Sequence, residues 1–577
     1  REGFRRSAVA TQNLVVPSTN AFFVTPAGVT PPLCPANVAG VPAGTRCETV
    51  QYSFSGVYGP SSTTDIFSEV WQVTGGFDVS LSEKWNANAY LTYGRNQDHA
   101  LSVGNAVDTA NLAAALRSSD PATAFNPFGT AGGNSAATIA GIFNNLTDTD
   151  GKTRFLDAGV KLDGSLFAMP GGDVKLAVGG EYQDFWLRTG QIRGRAGAQT
   201  GTDTILSRTV KSAYAELLIP LFGEDNATAG FHRLSLNIAG RIDDYSDIGS
   251  TTNPKFGIAW QPVEDLKIHA SYGESFRGPL LTNIFSAGGS NLFIQNYFDP
   301  TANNGAGATV QGVAVSGGNL NLKPETAKTW SLGLEYSPQS LPGAQFSLNY
   351  FDIKYENQIV SYLSNLNVLR LESLFSPVIL RGAAAQAKIA QLVAETNVNG
   401  TLSRVINGGS LAQALAANVF VEGRTGNQGT TIARGIDFGV SVPFDLEKVG
   451  NFRVSLRGTR FFTYKIAFTA GGAITEQLNN IDYILKFRGR ASLQYNRGPF
   501  DMNLYLNYSN GYNNTFSTLA PKIGANTTFD LTASYDFGEQ LGFAKRFQLG
   551  LNVVNLFDKD PPFADIAPTN NGGGGFD

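Results

Sequence analysis

Between positions 484 and 496 every odd residue is apolar or small (Leu485, Phe487, Gly489, Ala491, Leu493, Tyr495), while the even ones are Lys486, Arg488, Arg490, Ser492 and Gln494. Side chains of a β-strand point alternately to its two faces, so this segment carries one apolar and one cationic face. The same period recurs in Phe500, Met502, Leu504, Leu506 and Tyr508 against Asp501, Asn503, Tyr505 and Asn507. It recurs in Phe529, Leu531, Ala533, Tyr535 and Phe537 against Asp530, Thr532, Ser534 and Asp536. Phe452, Val454 and Leu456 alternate in the same way with Arg453, Ser455 and Arg457. The pattern predicts sixteen strands, over 66–80, 83–97, 153–165, 172–188, 205–220, 230–244, 252–262, 265–276, 325–337, 343–357, 430–444, 450–466, 484–496, 498–510, 525–537 and 544–557.

The connections alternate short and long. Short ones include 81–82, 261–264 and 496–498; long ones cover about 98–152, 277–324, 358–429, 467–483 and 511–524. A soluble sandwich or propeller also has alternating half-buried strands, but it gives no reason for two classes of connection. A transmembrane barrel does, because its periplasmic turns are short, its extracellular loops are long and aromatic residues close its strands at the membrane interfaces. Strands of 11–17 residues exceed the ~5–6 usual in soluble proteins and suit tilted spans that continue past the bilayer. The expected fold is therefore all-β, a transmembrane antiparallel β-barrel of the bacterial outer membrane with about 16–17 strands in this chain. In 343–357 the apolar phase passes from Phe346, Leu348 and Tyr350 to Phe351, Ile353 and Tyr355, which predicts a β-bulge or emergence from the membrane. The parity of the strands further predicts that 6–11 ends an ascending strand and that a closing strand follows the loop 558–577. The opening REGFRRSAVATQ has no signal-peptide character, so a fragment of a longer barrel is expected.

Composition sharpens this picture. Of 577 residues, 16% are charged, against about 25% in an average soluble protein. Their place is taken by 65 Gly, 39 Phe and 20 Tyr. The mean hydropathy of -0.09 is what alternating lipid-facing and lumen-facing positions average to, and no run reaches the ~18 apolar residues of a membrane helix. With 3 His and 2 Cys the chain is poor in zinc or haem ligands, and a net charge of -4 gives no reason to expect nucleic acid. There is no P-loop, HExxH or GxSxG pattern, so no enzymatic reading is supported.

Several segments stand in a telling order: Asn111-Leu112 through DPATAFNPFG (120–129), SRTVKSAYAELLIPLFG (207–223), RIDDYSDIGSTTNPKFGIAWQP (241–262), ASYGESFRGPLLTNIF (270–285), NLNLKPETAKTWSLGLEY (319–336), YFDIKYENQI (350–359) and LNVVNLFDKDPPF (551–563). Across the whole chain they resemble TonB-dependent outer-membrane receptors of proteobacteria. The resemblance implies a 22-stranded barrel, of which the sixteen candidates would be strands six to twenty-one, within a single barrel domain over 1–577. It implies active uptake of a scarce nutrient, a siderophore, carbohydrate or similar small molecule. The partner so implied is the TonB complex acting through a plug; a membrane barrel would also contact outer-membrane lipid and lipopolysaccharide, and a surface barrel of adhesion or complex-forming type would bind another outer-membrane or surface protein through its loops. The plug and the TonB-contacting box of the family do not occur in this sequence, so a passive porin-like channel and a scaffold barrel stand as alternatives.

Candidate chemistry is modest. Arg453, Arg457, Lys486, Arg488 and Arg490 share a face with polar neighbours and would point into the lumen, since Arg at the lipid midplane costs about 2–4 kcal/mol. They would contact a plug or an anionic ligand, or form a ladder of cross-strand ion pairs. Cys34 and Cys47 flank twelve residues in a Pro/Gly-rich extracellular loop, where a disulfide is expected to add about 3 kcal/mol. Phe285, Phe293, Tyr297 and Phe298 in the loop 277–324 are candidates for stacking on a ligand, or for packing between loops. The stretches 383–397 and 411–419, within the long loop 358–429, have helical spacing, as does 111–117. Loops on rigid scaffolds commonly carry binding. No cofactor is expected; the clusters Asp148/Asp150 and Asp243/Asp244/Asp247 offer oxygens for calcium, but Lys152 stands where an EF-hand needs a ligand.

Overall fold

The structure, a computed structural model, describes residues 2–565 apart from 9–10, 26–27, 36–37, 39, 59–60, 105–106, 130–132, 196, 286–290, 396–405, 408–410, 516, 518 and 539–546. One sheet gathers eighteen strands, including the three-residue strand Ile474–Glu476. The chain divides into two compact units, 1–76 with 90–158 and 182–209, and 77–89 with 159–181 and 210–577.

In the second unit the long strands form one ladder in which each pairs antiparallel with its neighbours. The ladder begins at Val210 within Ala198–Phe222 and runs through Arg233–Tyr245, Gly249–Val263, Leu266–Arg277, Glu325–Tyr336 and Gln345–Val360. It continues through Gly426–Leu446, Gly450–Ala467, Phe487–Arg497, Phe500–Ser509, Asn526–Asp536 and Gln548–Val553. The two-residue period of the sequence fixes the register, because a slip by one would turn every apolar side chain to the other face. One face accordingly reads Leu236, Ile258, Ala270, Leu332, Tyr350 and Ile436 across six strands. Nearer the short turns, the same face reads Phe444, Phe452, Tyr495, Met502, Ala533 and Leu551. Its aromatic pairs are in contact, with ring centres 5.3 Å apart for Phe444 and Phe452 and 4.5 Å for Tyr272 and Trp330. Leu332, Leu456, Leu549 and Leu551 are left exposed on this face, as expected where the neighbour is hydrocarbon.

Two long connections of this unit fold together rather than separately. Leu292–Asp299 and Ala308–Val315 form a hairpin that is flanked on one side by Val419–Glu422 and Ile379–Arg381 and on the other by Ile406–Asn407. Both faces of this small sheet are covered. Leu292, Ile294, Val313 and Val315 pack on one side against Ala385, Ile389 and Leu392, which lie at helical spacing on the helix Gly382–Ala394 and form its buried stripe. Tyr297, Ala314 and Val419 pack on the other side with Val368, Leu369 and Phe375.

In the first unit Glu2–Ala8 pairs antiparallel with 61–67 of the strand Ser61–Ser82. The hairpin of Thr11–Pro17 and Cys47–Ser53 packs Leu14 and Val16 with Phe54, Phe125 and the helices Thr109–Arg117 and Ala136–Ile142. Asn20 is buried there and donates to the carbonyls of Leu116 and Phe125 at 2.9 and 3.0 Å.

Several expectations are corrected. Connections do not alternate strictly short and long, because strands expected over 172–188 and 205–220 continue to Gly172–Arg195 and Ala198–Phe222, leaving only 196–197 between them. Likewise only 246–248 separate Arg233–Tyr245 from Gly249–Val263. The expected strand over 6–11 is divided between Glu2–Ala8 and Thr11–Pro17, with 9–10 outside the described residues. No β-bulge lies at Phe351: pairing with Glu325–Tyr336 is continuous from Phe346 to Glu356, and the irregularity falls later, between Tyr355 and Ile359. Phe351 and Ile353 belong to the polar face of the sheet, where they make an aromatic patch among polar neighbours.

Candidate functional site

The register places Arg453, Arg457, Arg488 and Arg490 on the face opposite the apolar rows. One row of that polar face reads Ser347, Gly439, Arg457, Arg490, Asn507 and Thr528. Arg490 is held by Asp530 at 3.3 Å and lies over the Tyr505 ring at 4.0 Å, while Arg453 donates to the Ser441 hydroxyl at 3.2 Å. Lys486 precedes the strand Phe487–Arg497 and is exposed. Arg457, Arg488 and Arg490 line a concavity of about 700 Å³ with Asp437, Asn349 and Asn507. Asp437 accepts a hydrogen bond from Thr459 at 2.6 Å.

Adjoining it is a second concavity of about 1000 Å³ lined by Phe351, Ile353, Phe461, Tyr483, Ile484 and Leu485 with Arg488. Phe351 lies against Phe461, ring centres 5.4 Å apart, and occupies the space above Gly435. Sequence reasoning missed this patch. Its signal was the apolar run Phe351, Ile353, Tyr355, which the expectation of a slip explained away.

The aromatic candidates of the loop 277–324 separate in the structure. Tyr297 has no exposed surface, so it is core and has no ring face to offer a ligand; burial raises its hydroxyl pKa, and that hydroxyl donates to Gln295 at 2.7 Å. Phe293 is half-buried in Leu292–Asp299. Phe298 is exposed with Arg370 over its ring at 4.3 Å, and Phe285 is exposed after the short helix Leu281–Ile284. The same small sheet holds a charged cluster: Arg381 donates to Asp299 and to Glu372, each at 2.6 Å. The Arg381 bond, with help from Thr301, holds the Asp299 carboxyl down at about 2.

In the first unit Cys34 and Cys47 are joined in a disulfide, with Cα atoms 4.7 Å apart. The acidic clusters considered for calcium are engaged by protein groups. Asp148 meets His99 at 2.8 Å and Asp150 meets Lys152 at 3.4 Å. In the second unit, Asp243 accepts from Ser212 at 2.6 Å and from Arg241 at 2.7 Å.

A sheet with one apolar face, one polar face and long connections is the pattern of a membrane barrel wall. The family described as TonB dependent receptor-like, beta-barrel matches residues 25–556. The chain belongs to that family, and it is an outer-membrane protein. Among solved structures it is similar to the ferric enterobactin receptor PfeA of Pseudomonas aeruginosa, with 16% identity, a TM-score of 0.54, and coverage of 89% of this chain and 61% of that one. Similar too are the siderophore receptor PirA of Acinetobacter baumannii (12% identity, TM-score 0.43, 86% and 67% covered) and the RagAB peptide transporter (11%, 0.49, 85% and 58%). The chain thus spans about three fifths of the PfeA chain, and at this identity the likeness is one of fold.

Proposed function

We propose that this chain is the barrel wall of a receptor that takes up a scarce small molecule across the outer membrane, energised by the TonB complex through a plug segment. The observation that carries the reading is the match of the receptor family over 25–556. The polar face with its arginines and concavities supports it, since a wall that only anchored the protein would not need cationic hollows away from lipid. The siderophore receptors among the similar structures make a metal chelate one substrate class to test, beside oligosaccharides, cobalamins and peptides. In this reading the loop bodies capture the ligand, the plug rearranges, and the ligand passes along the polar face.

The test is uptake by cells that carry or lack the full-length gene, with iron chelates, oligosaccharides, cobalamin and peptides supplied in turn. Uptake of one class that requires both the gene and TonB is expected. Free permeation of small solutes through the reconstituted full-length protein without TonB would replace the receptor with a passive channel.

A further inference from the structure

The two concavities of the polar face are neighbours of opposite character, and they share Asn349, Asp437, Thr459 and Arg488. Along Gln345–Val360, Ile353 and Phe351 lie toward the long connection 361–425, while Ser347 lies toward the short connection 337–344. The aromatic hollow is therefore the one nearer the long loops, and the arginine hollow follows it. Long loops are extracellular, so a molecule entering from outside meets rings first and guanidinium groups second.

Asp437 is the one carboxylate both concavities share; it is held by Thr459 at 2.6 Å and makes no ion pair with an arginine among the described residues. Arg457 stands directly opposite Arg490, and like charges at such positions destabilise a sheet. Asp530 answers Arg490 alone, and among the described residues neither Arg457 nor Arg488 has an ion-pair partner. The rings, for their part, leave a wide apolar wall on a face where water or polar groups are the rule. A planar apolar body pressed on Phe351 and Phe461 would displace poorly held water, while an acidic group at one end would reach Arg488 at the junction and accept the charge-assisted bonds a guanidinium offers.

We propose that this junction is a binding site for an aromatic anion, its ring on Phe351, Phe461 and Tyr483 and its carboxylate or equivalent acid on Arg488, with Arg457 next along the path. The inference rests on the uptake reading for the direction of entry, and its test is independent of transport.

The full-length protein in dodecyl maltoside micelles is titrated with 2-naphthoate, which has ring and charge, and with 2-naphthylmethanol, which has the ring alone. Fluorescence anisotropy reads both after subtraction of protein-free micelles, and acetate serves as a charge-only competitor. Naphthoate is expected to bind saturably and at least tenfold tighter than naphthylmethanol, with acetate competing weakly. R488Q should abolish that tenfold preference without changing naphthylmethanol affinity, and F351A should weaken both probes. Correct folding of each variant is read from the mobility of unheated protein in SDS electrophoresis. Equal affinity for the two probes, absence of saturable naphthoate binding, or an unchanged preference in folded R488Q overturns the site. TonB-dependent uptake that survives in R488Q alongside any of these results leaves the receptor reading standing and removes only this site.

Discussion

Asp299 is 3% exposed, and its bond from Arg381 keeps its carboxyl ionised well below the ordinary range, at about 2. A carboxyl whose pKa is lowered on folding stabilises the fold above its unfolded value near 4, and that contribution is lost as pH falls toward 2. The shift corresponds to about 2 kcal/mol. Acidification from pH 5 to 2 should therefore loosen the small sheet around Asp299, read as new pepsin cleavage between 292 and 422, and D299N should show that cleavage already at pH 5. At Gly435 an added Cβ would stand 2.6 Å from the Arg460 carbonyl oxygen and 2.7 Å from Phe351. G435A should cost about 1–3 kcal/mol as other overpacked sites do, seen as a lower urea midpoint, and should expel Phe351 from its place beside Phe461. These residues differ in how legible they were. The parity of Arg457, Arg488 and Arg490 was readable because each has apolar neighbours at odd spacing on its own strand. Tyr297 was not: its burial comes from Val368, Leu369 and Phe375, some seventy residues further along, and nothing local distinguishes it from exposed Phe298.

Elements followed sequence most faithfully where a strand has one apolar face to hide. All sixteen expected strands occur, because an alternation of about ten residues tolerates only one register. Their ends were less readable. Gly172–Arg195 and Ala198–Phe222 continue past the apolar band, where ladder bonds and pairs such as Arg188 with Asp203 at 2.7 Å replace the hydrophobic pattern as the reason to stay extended. The hairpin of Thr11–Pro17 and Cys47–Ser53 is closed near its turn by the Cys34–Cys47 disulfide. C34S should release the segment between the two cysteines, with about 3 kcal/mol less local stability. The expected sign is faster amide exchange over 18–53, with little change in the strand Phe500–Ser509. Its check is hydrogen exchange by mass spectrometry on oxidised wild type and variant.

For the whole molecule, the small sheet carries a constraint on change. Its central hairpin comes from the connection between Leu266–Arg277 and Glu325–Tyr336, while the strands on either side of that hairpin come from the connection between Gln345–Val360 and Gly426–Leu446. Deleting 292–315 should strip Ile406–Asn407 of its partner, leave Val419–Glu422 paired with Ile379–Arg381 alone, and expose 379–422 to protease, while the membrane ladder stays folded by its electrophoretic mobility. Neither connection is then an independent module of inheritance. A lineage that acquired a new version of one, by recombination or by design, would have to acquire the matching version of the other, so new ligand preferences in this part of the receptor should arise as exchanged pairs of loops.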